Sequence, residues 1–378
     1  MQPSYGQLSK LVHELGRRRN LPHAVMAVEN LDGSFRWSGA VGHAQPDGTP
    51  MLADTPFFIA SIDKLLTATV VLQLTEERKL QLDEPVTTCL PAGTMSGLHQ
   101  LGGVDHTPAI TVRHLLSHTS GVADFLEDRP AGGRSLLEEI LEEGDRTWAQ
   151  DEPLDLVRAR LQPHFQPQNL TAPRVRSRYS NTNFELLNLL IEHLTGQSLA
   201  ETFEHRLFKP LGLTRTRFVG NNPSSPGTPV SAALWCGKMP LDRPMALQSL
   251  RSINSTAPEM IALLRGLVNG RLFAQPGTFA QMQQRWIRFG LPFDAAALRA
   301  PSWPIEYGLG LMRFQSPRFL TPFHPVPPVI GHTGSTGSWL FYCPSLELLL
   351  AGTVDQVTAP ALPYRILPRL LRACTTKA

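Results

Sequence analysis

Residues 56–74, PFFIASIDKLLTATVVLQL, place a serine and a lysine three positions apart at the start of an apolar segment. At this spacing the side chains of Ser61 and Lys64 would project from one face of a helix, one turn apart. The segment is apolar nearly all round, which predicts a helix that runs through the core. Burial disfavours the charged form of an amine, and a neutral amine beside a hydroxyl group can act as its general base. A plain surface helix would show the same four residues, so other motifs have to decide.

The composition is typical of a globular protein and excludes several classes of function. The 378 residues carry a formal net charge of +3, and the basic residues are scattered along the chain, so we expect no binding to nucleic acid. No apolar run is long enough to cross a bilayer, and we expect no membrane partner. The first residues lack the apolar core of a secretory signal, which predicts a cytoplasmic protein; a secreted chain whose leader had been removed would look the same.

The cysteine and histidine spacings do not indicate a metal site. The four cysteines lie far apart, without a Cys-x-x-Cys pair, so neither a zinc ribbon nor a redox motif is expected. His114 and His118 have the spacing of two metal ligands on a helix, but no glutamate stands between them as in zinc proteases, and a helix end follows. We interpret them as structural histidines and expect neither a metal nor another cofactor.

The order of the elements predicts an α+β fold, an α/β sandwich whose strands come from both ends of the chain. The connection between the first two strands contains Asp32-Gly33, a hairpin signal. The terminal strands and helices are expected over residues 4–19, 24–29, 35–41, 306–314, 329–342, 347–355 and 362–373. We therefore predict one catalytic domain over residues 1–378, with an antiparallel sheet flanked by helices. An α/β subdomain of residues 1–60 and 300–378, approximately, would hold an inserted, mostly helical subdomain of residues 61–299.

Several features are expected within the helical middle of the chain. A short strand from Ile110 would lead into a helix, and another helix would cover residues 183–193. The sequence Thr256-Ala257-Pro258-Glu259 is typical of a capping box. Residues 221–252 are rich in loop-forming residues and would form part of a pocket rim. Three arginines alternate at positions 174, 176 and 178, which is typical of one solvated face of a strand.

Two further motifs carry side chains suited to catalysis. Tyr179-Ser180-Asn181 stands at the start of the helix after it, and His332-Thr333-Gly334-Ser335 lies within a predicted strand. A tyrosine can relay a proton, and an asparagine amide can donate to a carbonyl group. A glycine in a strand lets a ligand or another backbone come close. Each motif is weak alone, but their order along the chain is far more specific.

With these three motifs the chain resembles the serine β-lactamase and penicillin-binding-protein superfamily, and within it the branch of class C β-lactamases, esterases and D-aminopeptidases. The Ser-x-x-Lys signature and a triad ending in Thr-Gly are motifs of that superfamily. The resemblance covers nearly the whole chain, since it also includes residues 58–60, 80–91, 110–121, 209–213 and 307–310. A Ser-His-Asp hydrolase is the competing enzyme class, but no Gly-x-Ser-x-Gly elbow presents a serine for it.

The resemblance implies a role for each matching residue. Ser61 would be the acylated nucleophile, and Lys64 with Tyr179 would take its proton and pass it to the leaving group. Asn181 would orient Lys64 and the side of the substrate that carries the carbonyl group. The oxyanion would lie between the backbone amides of Ser61 and Ser335. The substrate-binding residues implied in the C-terminal motif are His332, Thr333, Gly334 and Ser335.

His332 stands where β-lactamases and transpeptidases typically carry a lysine. Because a histidine is mostly neutral at pH 7, recognition of a substrate carboxylate at this position is in doubt. The alternating arginines could supply the missing charge. We therefore expect a serine hydrolase that cleaves a small-molecule ester or related acyl compound, while the oligomeric state is open. The alternatives are a D-aminopeptidase or β-lactam hydrolase, an acyltransferase, and a non-catalytic binding protein that retains the fold.

Overall fold

Fifteen strands are present in the computed structural model, which describes residues 4–220, 230–289, 305–316 and 325–375. In chain order they are β1 (His23–Asn30), β2 (Arg36–Gly42), β3 (Phe57–Phe58), β4 (Gln100–Leu101), β5 (Val104–Asp105), β6 (Arg217–Phe218), β7 (Leu234–Cys236), β8 (Met239–Leu241), β9 (Ile253–Ser255), β10 (Ile287–Arg288), β11 (Ile305–Tyr307), β12 (Met312–Phe314), β13 (Val329–Thr333), β14 (Trp339–Cys343) and β15 (Leu348–Thr353).

Eight of these strands form one antiparallel sheet that joins the two ends of the chain. Its order is β10-β11-β12-β13-β14-β15-β1-β2. Strand β1 lies between β2 and β15, with Met26 opposite Gly39 on one side and Gly352 on the other. The predicted α+β fold with an antiparallel sheet is therefore confirmed. The smaller sheets are β3-β9-β6, β4-β5 and β7-β8.

Two of the predicted strands are hairpins. Residues 306–314 belong to β11 and β12, which turn at Gly310 with a φ of +66°. Residues 329–342 belong to β13 and β14, and Gly337 lies in the turn between them with a φ of +76°. The single-strand predictions are wrong because apolar residues continue on both sides of each turn, and glycine occurs in strands as well as in turns.

Helices connect and cover the sheet. In chain order they are α1 (Tyr5–Gly16), α2 (Asp63–Glu76), α3 (Val112–Leu116), α4 (Leu136–Glu142), α5 (Glu152–Arg160), α6 (Asn181–Thr195), α7 (Leu199–Phe203), α8 (Lys209–Leu211), α9 (Pro244–Ser249), α10 (Ala257–Val268), α11 (Thr278–Gln281) and α12 (Leu362–Thr375). Short 3-10 turns occupy Ala60–Ile62, Val86–Thr88 and Thr107–Ala109, and a π-helical turn occupies Glu204–Phe208. No helix in the described ranges combines the length and the apolar character that a membrane crossing requires.

Two details of the helical middle differ from the sequence predictions. The strand expected from Ile110 does not form; α3 begins at Val112, and Thr111 caps it together with His114. Thr256 caps α10 by accepting the Glu259 N–H at 3.2 Å, but the Glu259 carboxylate does not return to Thr256. It accepts the backbone N–H of Arg215 at 2.9 Å instead, so only half of the predicted capping box exists.

Apolar clusters cover both faces of the sheet. Strand β1 alternates between them, because successive side chains point to opposite faces. Met26 and Val28 join the cluster that includes residues of α1 and α12. Val25 and Ala27 join the larger cluster that includes α2, α6 and α10. The helix that opens with Ser61 is therefore held in the core on the second face, as its apolar sequence predicts.

Part of the sequence prediction falls outside the described residues. Residues 221–229 of the expected pocket rim, and residues 300–304 of the predicted α/β subdomain, are not among them. The division of the chain into two subdomains at about residues 60 and 300 stays a prediction.

Candidate active site

Ser61 lies in a tight turn immediately before α2. The turn, Ala60–Ile62, is a 3-10 helix, and Ala60 adopts a φ of +50°. A left-handed backbone costs a residue other than glycine about 1–2 kcal/mol, so the surrounding structure has to hold it. Part of that support comes from Ser338, whose hydroxyl donates to the Ile59 carbonyl at 2.9 Å. The strained turn presents Ser61 at the end of the helix nearest the sheet.

Lys64 is one helical turn beyond Ser61 and is 6% exposed. Its Nζ donates to Ser61 Oγ at 3.4 Å. The same nitrogen lies 5.3 Å from the centre of the Tyr179 ring and 5.6 Å from that of Phe184. The structure thus brings together the serine, the lysine and the tyrosine that the sequence singled out.

The Tyr179 hydroxyl is buried and makes no hydrogen bond of good geometry with the described residues, although the Ser61 side chain lies beside it. Burial raises the pKa of Tyr179 well above its usual value of 10, and neighbouring carboxylates raise it further. The side chain of Ser61 opposes this shift, because it lies close enough to favour the phenolate. Tyr179 is therefore a protonated phenol at neutral pH, with its hydroxyl beside the Ser61 side chain.

His118, which the sequence suggested to be a structural histidine, lies beneath Tyr179. The two ring centres are 4.4 Å apart. Its Nδ1 accepts the backbone N–H of Ser180 at 3.2 Å and faces the Asn183 amide nitrogen at 3.1 Å. Burial, and then the charge of Lys64, hold the pKa of His118 well below 6.5. The ring is neutral with its proton on Nε2, which has no partner among the described residues.

The backbone of His118 also holds the irregular segment that carries Tyr179. Its carbonyl oxygen accepts the Arg178 backbone N–H at 3.0 Å and the Ser177 hydroxyl at 3.2 Å. Together with the Nδ1 contacts, these bonds fix the segment on both sides of Tyr179. The sequence showed only a histidine at a helix end, and nothing in that pattern indicates which distant segment it contacts.

Asn181 opens α6, and its side chain is held by a carboxylate. Its amide nitrogen donates to both carboxylate oxygens of Asp124, at 3.2 and 3.0 Å. Burial and the neighbouring Asp128 carboxylate raise the pKa of Asp124. The Asp124 carboxylate holds the Asn181 nitrogen and leaves its oxygen as the free end of the amide. The expectation that Asn181 orients the substrate and Lys64 stays a prediction.

Glu127 brings an additional carboxylate to this side of the site. Its side chain as a whole is exposed, but surrounding protein removes the carboxyl group from part of its water. This partial burial, followed by the Asp124 charge, raises the pKa of Glu127 to about 7, while Lys64 opposes the rise. The Glu127 carboxylate is therefore negatively charged above that pH, at a distance from which it interacts with Lys64. Sequence reasoning missed Glu127, because it sits in a loop without a recognisable motif.

His332 is fully buried on β13 and does not present a charge. Its Nδ1 lies 2.7 Å from the Thr333 carbonyl, which can only accept, so Nδ1 carries the proton. Nε2 then accepts the Tyr307 hydroxyl at 2.9 Å. Burial lowers the pKa of His332 to about 3, and Lys64 contributes to the shift. The structure thus agrees with the doubt about carboxylate recognition at this position.

Residues 333–335 continue from β13 alongside the Ser61 turn. The Thr333 hydroxyl contacts that of Tyr364 at 2.9 Å. A Cβ added to Gly334 would lie 2.7 Å from the Ala60 Cβ, so only glycine allows this approach. Ser335 is exposed, and its backbone N–H makes no hydrogen bond within the described chain. A free amide beside the nucleophile turn is the arrangement that an oxyanion site requires.

A family model matches the sequence across the whole of this site. The family model described as Beta-lactamase matches residues 8–367. The chain belongs to the Beta-lactamase family. The matched range contains Ser61, Lys64, Tyr179 and the segment from His332 to Ser335, and it confirms the resemblance that these motifs indicated.

Other members of the Beta-lactamase family and related folds are similar to this chain. Esterase EstB from Burkholderia gladioli is 32% identical over 208 residues, which cover 55% of this chain and 50% of the esterase. ML-236A carboxylate methylbutanoyltransferase mlcH from Penicillium citrinum is 29% identical over 214 residues, covering 53% of this chain and 48% of the transferase. The matches span about half the length of these curated relatives. A D-stereospecific amidohydrolase from Streptomyces sp. has a TM-score of 0.73 at 25% identity, with 100% of both chains covered.

The arginines that the sequence placed on a strand face do not form a strand. The Arg178 guanidinium pairs with Asp128 at 2.9 Å, and the Arg176 guanidinium lies 4.6 Å from the centre of the Phe165 ring. The prediction of a strand is wrong because these side chains turn to separate partners in an irregular segment.

His114 and His118 also have separate partners. His114 Nε2 lies 2.7 Å from the Gln168 carbonyl, and its Nδ1 contacts the Thr111 cap. Within the described ranges, no group of histidine, cysteine or acidic residues is arranged to hold a metal ion.

Proposed function

We propose that this protein is a serine hydrolase that cleaves an ester or related acyl bond of a small molecule through an acyl-enzyme at Ser61. The observation that carries the proposal is the set of groups around one hydroxyl. Lys64 Nζ lies 3.4 Å from Ser61 Oγ, and the Tyr179 hydroxyl is buried beside it without a partner. A nucleophile next to a base, with a further group in reach of both, is the arrangement that covalent acyl transfer needs.

Acylation begins when Ser61 Oγ attacks the substrate carbonyl carbon and its proton passes to Lys64 Nζ, which has to be unprotonated at that moment to accept it. The new negative charge falls on the carbonyl oxygen, which would accept the backbone N–H of Ser61 and of Ser335. When the bond to the leaving group breaks, the proton passes to the leaving oxygen through the Tyr179 hydroxyl. Water then attacks the acyl-enzyme by the same route and restores Ser61.

The uncharged environment of β13 favours an ester over a carboxylate-bearing substrate. His332 is buried and neutral, with both ring nitrogens already engaged. It cannot act as the cation that would bind a substrate carboxylate, since its pKa is about 3. The similarity to an esterase agrees with this preference.

Short-chain nitrophenyl esters and a fluorophosphonate probe test the proposal together. We expect turnover of the ester, and a single covalent adduct that mass spectrometry maps to Ser61. The Ser61→Ala variant should lose both. If the protein neither turned over the ester nor formed an adduct, the proposal would be wrong. A binding protein that retains the fold would then be the remaining interpretation. Acyl transfer to an added alcohol, in place of hydrolysis, would identify an acyltransferase instead.

Glu127 favours a second candidate substrate, an amide that carries a free amino group. Its carboxylate is close enough to Lys64 for the two charges to interact. A charge-assisted hydrogen bond to a substrate ammonium group contributes about 1.5–3 kcal/mol. The similarity to a D-stereospecific amidohydrolase supports D-amino-acid amides as the compounds to test.

We expect Glu127→Gln to lower kcat/KM for D-amino-acid amides by about tenfold to a hundredfold. Assays at about pH 8 keep the carboxylate ionised, because the pKa of Glu127 is about 7. Turnover of an uncharged nitrophenyl ester should change little. Glu142→Gln is the matched control, since Glu142 is an exposed carboxylate on α4 that pairs with Arg134. Equal losses on the amide and the ester would contradict an amino-group subsite at Glu127.

A further inference from the structure

Asp63 places a carboxylate directly beside the reacting pair. It is the first residue of α2, between Ser61 and Lys64 in sequence. Its Oδ1 lies 3.7 Å from Lys64 Nζ, the same nitrogen that donates to Ser61 Oγ at 3.4 Å. Lys64 Nζ therefore lies between Asp63 Oδ1 and Ser61 Oγ, close to both.

The burial of Asp63 Oδ1 makes this neighbour more than a surface ion pair. The oxygen is inaccessible to solvent and receives no hydrogen bond of good geometry, although 29% of the Asp63 side chain is exposed. Burial raises the pKa of Asp63, and the charge and N–H groups of Lys64 oppose the rise. A buried anionic oxygen without donors is unfavourable unless a cation compensates it. Lys64 is the cation in contact with it, so the two charges depend on each other.

The other ionisable groups around the pair cannot take over this role. Two tyrosines and two histidines face it and are uncharged at neutral pH, because burial raises the pKa values of the tyrosines and lowers those of the histidines; they are Tyr179, Tyr307, His118 and His332. Glu185 on α6 has its own partner, Arg251, at 3.3 Å. Glu127 faces the pair from the exposed side of the cleft.

We propose that Asp63 is a positioning residue that pairs with Lys64 beside Ser61 and so shapes the pH dependence of Ser61 acylation. This inference rests on the proposed acyl-serine function. A carboxylate at this distance favours the charged amine. The amine has to lose one proton to water before it can accept the proton of Ser61 Oγ. That accepted proton then leaves with the departing group, and Asp63 itself gains and loses no bond.

The pH dependence of Ser61 labelling by a fluorophosphonate tests this role. Labelling rates would be measured from about pH 5 to about pH 10, with the site of the adduct confirmed by mass spectrometry. We expect the acidic limb of the Asp63→Asn profile to lie about one to two pH units below that of the wild type. Asp155→Asn is the matched control, because Asp155 is an exposed carboxylate that pairs with Arg158 at 2.6 Å, and its limb should coincide with the wild type.

Melting temperatures and a second variant, Asp63→Ser, separate the charge effect from misfolding. Both variants should shift the limb in the same direction, since both remove the carboxylate. If the variants are labelled but the acidic limb of their pH profiles is not shifted, the role of Asp63 is wrong while the proposed function stands. A uniform loss of labelling at every pH, with an unchanged melting temperature, would overturn it as well. Absence of an adduct on wild-type Ser61 would instead overturn the proposed function, and this inference with it.

Discussion

The Tyr179 hydroxyl combines burial with the lack of a partner, which is unusual for a polar atom in a folded protein. Leaving such a group unpaired costs about 1–3 kcal/mol. The cost is understandable if the partner is the leaving group of a substrate, which binds only during turnover. The hydroxyl can then donate a proton at the one point in the reaction where it is needed.

Lys64→Ala and Tyr179→Phe should both lower the rate of acylation by about 10²–10⁴-fold. Their effects on stability should differ. Tyr179→Phe removes an unpaired hydroxyl, so its melting temperature should equal or exceed that of the wild type. Lys64→Ala leaves the Asp63 carboxylate without its cation and should melt earlier. Single-turnover labelling and thermal unfolding measure the two effects; near-wild-type rates in either variant would contradict the assigned role.

Motifs located Ser61, Lys64 and Tyr179 in the sequence because their spacing and order are specific. The partners of these residues were not predictable in the same way. The Asn181 amide, for example, donates to Asp124, which no motif of the sequence indicates. Such a contact depends on how two loops distant in sequence approach each other, and local sequence patterns carry no information about that approach.

At the scale of elements, His118 connects the loop after α3 to the start of α6. Its ring lies against Tyr179 on one side and 4.6 Å from the centre of the Tyr307 ring on another. Tyr307 in turn donates to His332 on β13. One neutral ring therefore aligns an element of the helical middle with the sheet, and the position of the Tyr179 hydroxyl depends on it.

We expect His118→Phe to slow acylation by about tenfold to a hundredfold, because the Ser180 N–H loses its acceptor and Tyr179 shifts. His118→Asn should retain more activity. Its side-chain oxygen takes the place of Nδ1, and asparagine tolerates the φ of +54° at this position. Labelling rates and KM for a nitrophenyl ester, compared at matched melting temperatures, measure the difference. A phenylalanine variant as active as the asparagine variant would contradict the role of Nδ1.

Element boundaries were less predictable than element types. The helix of residues 63–76 is apolar on every side and was identified from its sequence. Residues 329–342 were predicted as one strand, although they turn back between β13 and β14. The turn brings Gly334 against Ala60, so the error falls where the sheet meets the nucleophile. A close approach that needs glycine looks, in the sequence, like a weak position in a strand.

At the scale of the whole molecule, a buried pair joins β1, near the start of the chain, to the residues that directly follow β15, near its end. His23 Nε2 lies 2.8 Å from Asp355 Oδ2, and both side chains are 0% exposed. His23 Nδ1 donates to the His43 carbonyl at 2.8 Å, and the Thr353 hydroxyl donates to Asp355 at 3.0 Å. Both ring nitrogens thus face acceptors, which favours an imidazolium paired with a carboxylate.

The pair should make the protein less stable as the pH rises above neutrality. Burial lowers the pKa of His23, but the hydrogen bond and charge of Asp355 outweigh it and raise the pKa above 6.5. The stabilisation is complete below the unfolded pKa and is lost as the pH rises through the folded one. The pKa of Asp355 is raised as well, by burial, and acts in the same direction at lower pH.

Denaturant unfolding of wild type and two variants at several pH values checks this prediction. His23→Gln leaves the Asp355 carboxylate buried without its cation and should lower the free energy of unfolding by about 3–5 kcal/mol. The double variant His23→Gln, Asp355→Asn replaces the pair with neutral amides. It should recover part of that loss and show a flatter dependence on pH above neutrality than the wild type. If the stability of the wild type and of the double variant changed equally with pH, the pair of His23 and Asp355 would not be the source of the pH dependence.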